Sequence, residues 1–87
     1  MPVIYSSINE FDRTSEVYLR TEENNIISLG TVDNSNLSEA LYALCNEQSI
    51  YHVHLFGSDD FLIGIAAKMR HENELTYKHQ DINIEVN

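Results

Sequence analysis

The sequence predicts an α/β fold in which a mixed five-stranded sheet carries two helices, in the order βββαβαβ. Five short segments are rich in β-branched and aromatic residues, which is typical of strands; they are 3–8, 15–21, 26–32, 50–56 and 82–86. Two further segments place apolar residues three or four positions apart, which is the spacing of an amphipathic helix. Helices between strands predict right-handed parallel crossovers onto one sheet.

The first three strands are predicted to form an antiparallel meander. The second strand alternates, with Val17 and Leu19 on one face and with Glu16, Tyr18 and Arg20 on the other. The short polar stretch EENN that follows it indicates a turn before the third strand returns.

The first helix is predicted to begin after Asn36. Its apolar positions form a single stripe, made of Leu37, Ala40, Leu41, Leu44 and Cys45. Asn36 is a favourable N-cap, and Glu39 three residues later would complete a capping box with it. We therefore expect Glu39 to stabilise the start of the helix.

The fourth strand and the second helix follow. Residues 50–56 have apolar side chains on both faces, which predicts a central strand. Ser58 would cap the second helix, and Asp59 and Asp60 suit its first turn because the helix dipole favours anions there. Gly64 inside this helix suggests a close approach to the sheet. A polar connection at 72–81 leads to the last strand, whose inward residues are Ile82, Ile84 and Val86.

Composition limits the classes of function. The 87 residues predict one domain, 1–87, with a net charge of −9. Residues 1–60 contain ten acids and two bases, a net of −8, so direct binding to nucleic acid is disfavoured and a protein partner with a basic surface is favoured. No apolar run is long enough to span a membrane, and a single cysteine without a signal peptide favours the cytoplasm.

Motifs for chemistry are few. His52 and His54 alternate onto one face of the fourth strand and could supply two zinc ligands, with a third from His79, Glu85 or a partner strand. Alternatively they only line a face of the sheet. Cys45 lies on the apolar stripe and is expected to be structural. We find no phosphate-binding loop, dinucleotide fingerprint or serine-nucleophile motif, and we expect no cofactor.

Tyrosines among acidic residues are typical of a protein-binding face. The aromatic set is Tyr5, Phe11, Tyr18, Tyr42, Tyr51 and Tyr77. The candidate protein-binding residues are Glu16, Tyr18, Glu22, Glu23, Tyr42, Asp59 and Asp60. The alternative is that these tyrosines are partly buried at the edges of the core.

Three short sequence segments lie at junctions of the predicted elements. IYSSI ends the first strand, SNLSEAL begins the first helix, and LFGSDDFLIGI joins the fourth strand to the second helix. In these segments and in its element order, over most of its length, the chain resembles the core of the ribonuclease H-like fold. That family binds two metal ions through converging carboxylates, and Glu39 matches the acid of its first helix.

The other positions depart from the family pattern. Ser7 and Ser58 stand where the acids of the first and fourth strands would be, and the last helix with its acid is absent. A hydroxyl is a poor replacement for a carboxylate ligand, so the resemblance implies the scaffold without the enzyme. A divergent site would need Asp59 to act together with Glu39.

Three functions remain open at this stage. The first is a non-enzymatic acidic protein-binding module, similar in character to small phage or mobile-element inhibitors of basic host proteins that handle nucleic acid. The second is a divergent metal-dependent nuclease of the ribonuclease H-like class. The third is a small self-associating structural protein that pairs through an edge of its sheet as a homodimer.

Overall fold

The predicted element order is confirmed by a computed structural model, which describes residues 1–9, 11–72 and 82–86. The elements are β1 (Val3–Asn9), β2 (Thr14–Arg20), β3 (Ile26–Asp33), α1 (Leu37–Gln48), β4 (His52–Phe56), α2 (Asp59–Glu72) and β5 (Asn83–Val86). Of the predicted connection at 72–81, Glu72 is the last residue of α2, and residues 73–81, with Tyr77 and His79, lie outside the described residues.

The five strands form one mixed sheet in the spatial order β3-β2-β1-β4-β5. β2 pairs antiparallel with β1 and β3, while β4 pairs in parallel with β1 and β5. The antiparallel meander and the parallel crossovers therefore meet at β1, in the centre of the sheet. β3 and β5 are the two edge strands.

Both helices pack on the same face of the sheet, and the core lies between them and the strands. The strands contribute Ile4, Ile8, Val17, Val53, Leu55 and Ile84, and the helices contribute Leu37, Leu41, Tyr42, Cys45, Leu62, Ile65, Ala66 and Met69. The alternation predicted for the strands holds, because successive side chains of a strand point to opposite faces. Val86, predicted inward, is 44% exposed because it lies at the end of an edge strand.

The predicted capping box at the start of α1 is wrong. A 3₁₀ turn over Asn34–Asn36 precedes the helix, and the Asn36 side chain makes no capping hydrogen bond. Asp33 caps that turn instead, accepting from the Ser35 amide at 2.8 Å and from the Ser35 hydroxyl at 2.7 Å. These hydrogen bonds stabilise the carboxylate, and they lower the pKa of Asp33.

Two other local predictions need correction. β4 begins at His52 rather than at residue 50, because α1 ends with Ser49 in the left-handed conformation and the Ile50 amide donates to the Cys45 carbonyl at 3.1 Å. Gly64 was expected to allow a close approach of α2 to the sheet. A Cβ at this position would meet nothing within 4 Å, so packing does not require this glycine.

Neither helix in the described ranges is long and apolar enough to cross a membrane.

Candidate functional site: the open face of the sheet

The side of the sheet opposite the helices is the candidate functional site, and we call it the open face. In the strand register, Tyr5 lies opposite Tyr18 on β2 and opposite His54 on β4. Directly paired residues point to the same side, so these side chains share one face. By the same rule, the open face also contains Val3, Ser7, Glu16, Arg20, Ile26, Ser28, His52, Phe56, Asn83 and Glu85, among others.

Aromatic rings stack at the centre of the open face. The rings of His54 and Phe56 are 4.3 Å apart between centroids, and the Tyr5 ring lies 5.6 Å from His54 and 5.7 Å from Phe56. The guanidinium of Arg20 sits 5.4 Å from the centroid of the Tyr5 ring, within reach of a cation–π interaction. An arginine side chain of the protein itself therefore already packs against the open face.

A shallow concavity of about 500 Å³ adjoins this cluster. It is lined by Tyr5, Ser7, Tyr18, Ile26 and Phe56. Four of these five side chains are aromatic or aliphatic, and Ile26 belongs to the edge strand β3. The concavity thus extends the apolar surface from the centre of the sheet to its edge.

Carboxylates border the aromatic cluster on both sides. On β2, the Tyr18 hydroxyl donates to Glu16, and this hydrogen bond to a carboxylate raises the pKa of Tyr18. On β5, Glu85 lies 3.0 Å from His52 Nε2 and 3.7 Å from His54 Nδ1. Glu85 is half exposed, so it can also face a partner.

The structure brings together only some of the residues predicted to bind protein. Glu16 and Tyr18 lie on the open face, and Glu22 and Glu23 are exposed in the turn before β3. Asp60 is exposed at the start of α2, away from this group; Asp59 begins that helix, and its side chain lies outside what the structure describes.

Tyr42, predicted to lie on the surface, is buried. Its side chain is 1% exposed and its hydroxyl donates to the Met69 carbonyl at 2.7 Å. The hydroxyl finds a partner on α2, so the ring can pack between the helices. Among the other aromatics, Tyr51 packs partly against the core and Phe11 is exposed in the β1–β2 turn.

The positions that match the metal site of the ribonuclease H-like family are separated. Ser7 lies on the open face, whereas Glu39 is exposed on α1, on the other side of the sheet. Ser58 lies in the loop between β4 and α2. Within residues 1–9, 11–72 and 82–86, no group of three or more His, Cys, Asp or Glu side chains is arranged to hold a metal ion.

Cys45 is a buried free thiol in the core. Burial raises its pKa to about 11, so the thiol stays protonated and unreactive at neutral pH.

Sequence reasoning did not include Arg20, Ile26 and Phe56 among the candidate binding residues, although the strand alternation already put Arg20 on the same face as Tyr18. A signal was present, because His52, His54 and Phe56 alternate on one side of β4 while only two helices were predicted. Two helices that pack together cover one face of a five-stranded sheet, which leaves the other face open. Phe56 reaches Tyr5 because β4 lies beside β1. This order of the strands in space cannot be predicted from the sequence of any one strand.

Searches against known proteins add no relative: no protein-family model and no curated protein sequence matches the chain.

Proposed function

We propose that the protein is a non-enzymatic, acidic protein-binding module that docks onto a basic protein through the open face. The single observation that carries this proposal is the stacked aromatic cluster of Tyr5, His54 and Phe56, bordered by Glu16 and Glu85. Aromatic side chains provide contact area at a low cost in conformational entropy, and carboxylates around them select a positively charged partner.

An open sheet face with stacked aromatics also suits single-stranded nucleic acid, but the charge argues against that ligand. Nucleic-acid sites combine aromatic platforms with clustered Lys and Arg. Here the net charge is −9, and Arg20 is the only Lys or Arg on the five strands that the structure describes. A cationic side chain from a protein fits better, and the contact of Arg20 with the Tyr5 ring, 5.4 Å from its centroid, supports this choice.

The biological role proposed for this binding is inhibition. A small acidic protein can compete with nucleic acid for a basic surface, so the partner is proposed to be a nucleic-acid-handling host protein and the protein an inhibitor of the phage or mobile-element kind. The scaffold is proposed to be a catalytically degenerate ribonuclease H-like core, which the element order βββαβαβ supports. A cytoplasmic location fits the buried free thiol of Cys45.

The test is capture of a partner from host lysate with immobilised protein, at low and at moderate salt. We expect a specific basic protein to be retained at low salt and released as salt rises, because ionic contacts at a surface are screened. A chain that retains no specific partner at either salt concentration would refute the proposal.

Two matched double variants test whether the partner binds to the open face. Glu16→Gln with Glu85→Gln removes two charges from the open face, and Glu39→Gln with Glu47→Gln removes two charges from the exposed side of α1. We expect only the first pair to lower recovery of the partner. Equal losses for both pairs would show that net charge alone attracts the partner, and the open face would then be excluded.

A further inference from the structure

The edge strand β3 carries an apolar surface that nothing in the described chain covers. Ile26, Ile27 and Leu29 are 67%, 47% and 37% exposed. In the part of the chain that the structure describes, β3 pairs only with β2, so its other edge is open. An exposed apolar edge strand is a template for pairing with another strand.

The open edge presents backbone groups in a known pattern. Residue pairs of an antiparallel ladder alternate between hydrogen-bonded and non-hydrogen-bonded pairs. The Thr21 amide donates to the Asn25 carbonyl at 2.9 Å, so this pair is hydrogen-bonded, and Leu19 with Ile27 is the next pair of that kind. The amides and carbonyls of Ile26 and Ser28 therefore point away from β2, towards the open edge.

The first half of β3 lacks the features by which proteins protect an edge. Such features include lysine, proline, bulges and short strands. β3 has eight residues without lysine or proline, and its only irregularity comes later, where Leu29 is an extra residue between Ser28 and Gly30 in the pairing with β2. Gly30 has a φ of 109°, which lets the strand bend there. Residues 26–28 thus remain available for pairing.

Acidic residues lie at both ends of this apolar edge. Glu22 and Glu23 are exposed in the turn that precedes β3. At the other end, Asp33 and Asp12 are exposed, and one base, Arg13, lies close enough to Asp33 to contribute to its lowered pKa. Negative charge therefore flanks an uncharged, apolar centre.

We propose that β3 is a strand-pairing site for an extended segment of a basic protein, with an apolar centre and Lys or Arg on both flanks. This inference rests on the proposed function and adds the mode of docking. The added strand would bond to the backbone of Ile26 and Ser28. Its side chains would continue the apolar surface of the open face, because Ile26 lines the concavity beside Tyr5 and Tyr18.

A second copy of this chain is the less favourable occupant. In an antiparallel pair of two β3 strands, Glu22 and Glu23 of one copy would lie near Asp12, Arg13 and Asp33 of the other copy. The two acids at that end outnumber the one base, so the charges that meet are mainly negative. Each copy also carries a net charge of −9. Like charges across an interface oppose association, whereas a basic segment is attracted to both ends of β3.

The test compares Ser28→Pro with Ser28→Thr. Proline removes the outward amide of residue 28 and is tolerated on an edge strand where that amide makes no ladder bond, while threonine keeps the amide. The probe is a blocked synthetic peptide of alternating Val and Thr flanked by arginines, and its control carries glutamates instead of arginines. Far-UV circular dichroism and thermal unfolding of both variants establish that they fold.

We expect the arginine peptide to slow hydrogen exchange at the amides of Ile26 and Ser28 in the wild-type chain, and the glutamate peptide to have no such effect. Ser28→Pro should weaken peptide binding by roughly tenfold, from the loss of a backbone hydrogen bond together with steric conflict, and Ser28→Thr should bind like the wild type. Of the two variants, only Ser28→Pro should fail to capture the partner from lysate.

The other outcomes overturn the inference in distinguishable ways. If Ser28→Pro captures the lysate partner as well as the wild type does and the peptide protects no β3 amide, strand pairing is wrong while the proposed function stands. If no partner is captured but the peptide protects these amides, the proposed function fails and the pairing site stands. If the wild-type chain is a dimer in solution and Ser28→Pro makes it a monomer, the occupant is a second copy.

Discussion

Buried hydroxyl groups show how differently single residues contribute in this core. The hydroxyl of Tyr42 donates to the Met69 carbonyl and joins α1 to α2. The hydroxyl of Ser6 is also fully buried, but it has no hydrogen-bond partner among the residues that the structure describes. A buried polar group without a partner loses its hydration and gains nothing in return.

Removing the Tyr42 hydroxyl and removing the Ser6 hydroxyl should therefore affect stability differently. We expect Tyr42→Phe to lower the free energy of unfolding by about 1 kcal/mol, because it removes the buried hydrogen bond to the Met69 carbonyl. Ser6→Ala, which removes an unpaired hydroxyl, should leave stability unchanged or raise it. Urea unfolding at neutral pH measures both, and destabilisation by Ser6→Ala equal to that of Tyr42→Phe would contradict this account.

At the scale of elements, two glycines near α2 serve different purposes. Gly57, between β4 and α2, has a φ of 153°, and a Cβ there would lie 2.9 Å from the Ile8 carbonyl oxygen. Gly64 lies inside α2, where a Cβ has open space. The first glycine is required by the turn that joins strand to helix, and the second only weakens the helix.

The two alanine variants should separate these roles. Gly57→Ala should destabilise the protein by about 1–3 kcal/mol through backbone strain and the conflict with Ile8. Gly64→Ala should stabilise it by up to about 1 kcal/mol, because alanine is the better helix former. Thermal unfolding monitored by circular dichroism gives both changes, and a destabilising Gly64→Ala would show that this glycine is needed for a contact.

The elements were largely predictable from sequence, whereas their contacts were not. Apolar alternation and helical spacing are local, so they identified all five strands and both helices. The start of α1 after Asn36 is confirmed, but the capping box is wrong, because the Asn36 side chain makes no capping hydrogen bond and Asp33 caps the 3₁₀ turn before the helix. The sequence leaves Tyr42 either on a binding surface or at the edge of the core, because its partner, the Met69 carbonyl, belongs to the other helix.

At the scale of the whole molecule, the net charge of −9 lowers the stability of the fold and favours binding to a basic protein. Acidic groups repel one another in the compact state, and they attract a basic partner. Screening by salt should therefore stabilise the isolated chain and weaken the proposed complex.

We expect the melting temperature of the isolated protein to rise as sodium chloride increases from low to moderate concentration. Glu47→Lys, on the exposed side of α1, should flatten this dependence because it makes the net charge less negative without changing the open face. A melting temperature that falls with added salt would show that favourable ion pairs outweigh the repulsion.

The two edges of the sheet differ, and this difference bears on stoichiometry. β5 has four residues, and the Arg70 guanidinium from α2 donates to its Ile84 carbonyl at 3.3 Å. β3 has eight residues and an apolar, open first half. If strands add at β3 alone, as proposed, the sheet cannot grow into a fibre by repeated head-to-tail addition. We expect it to form complexes of one protein with one bound strand.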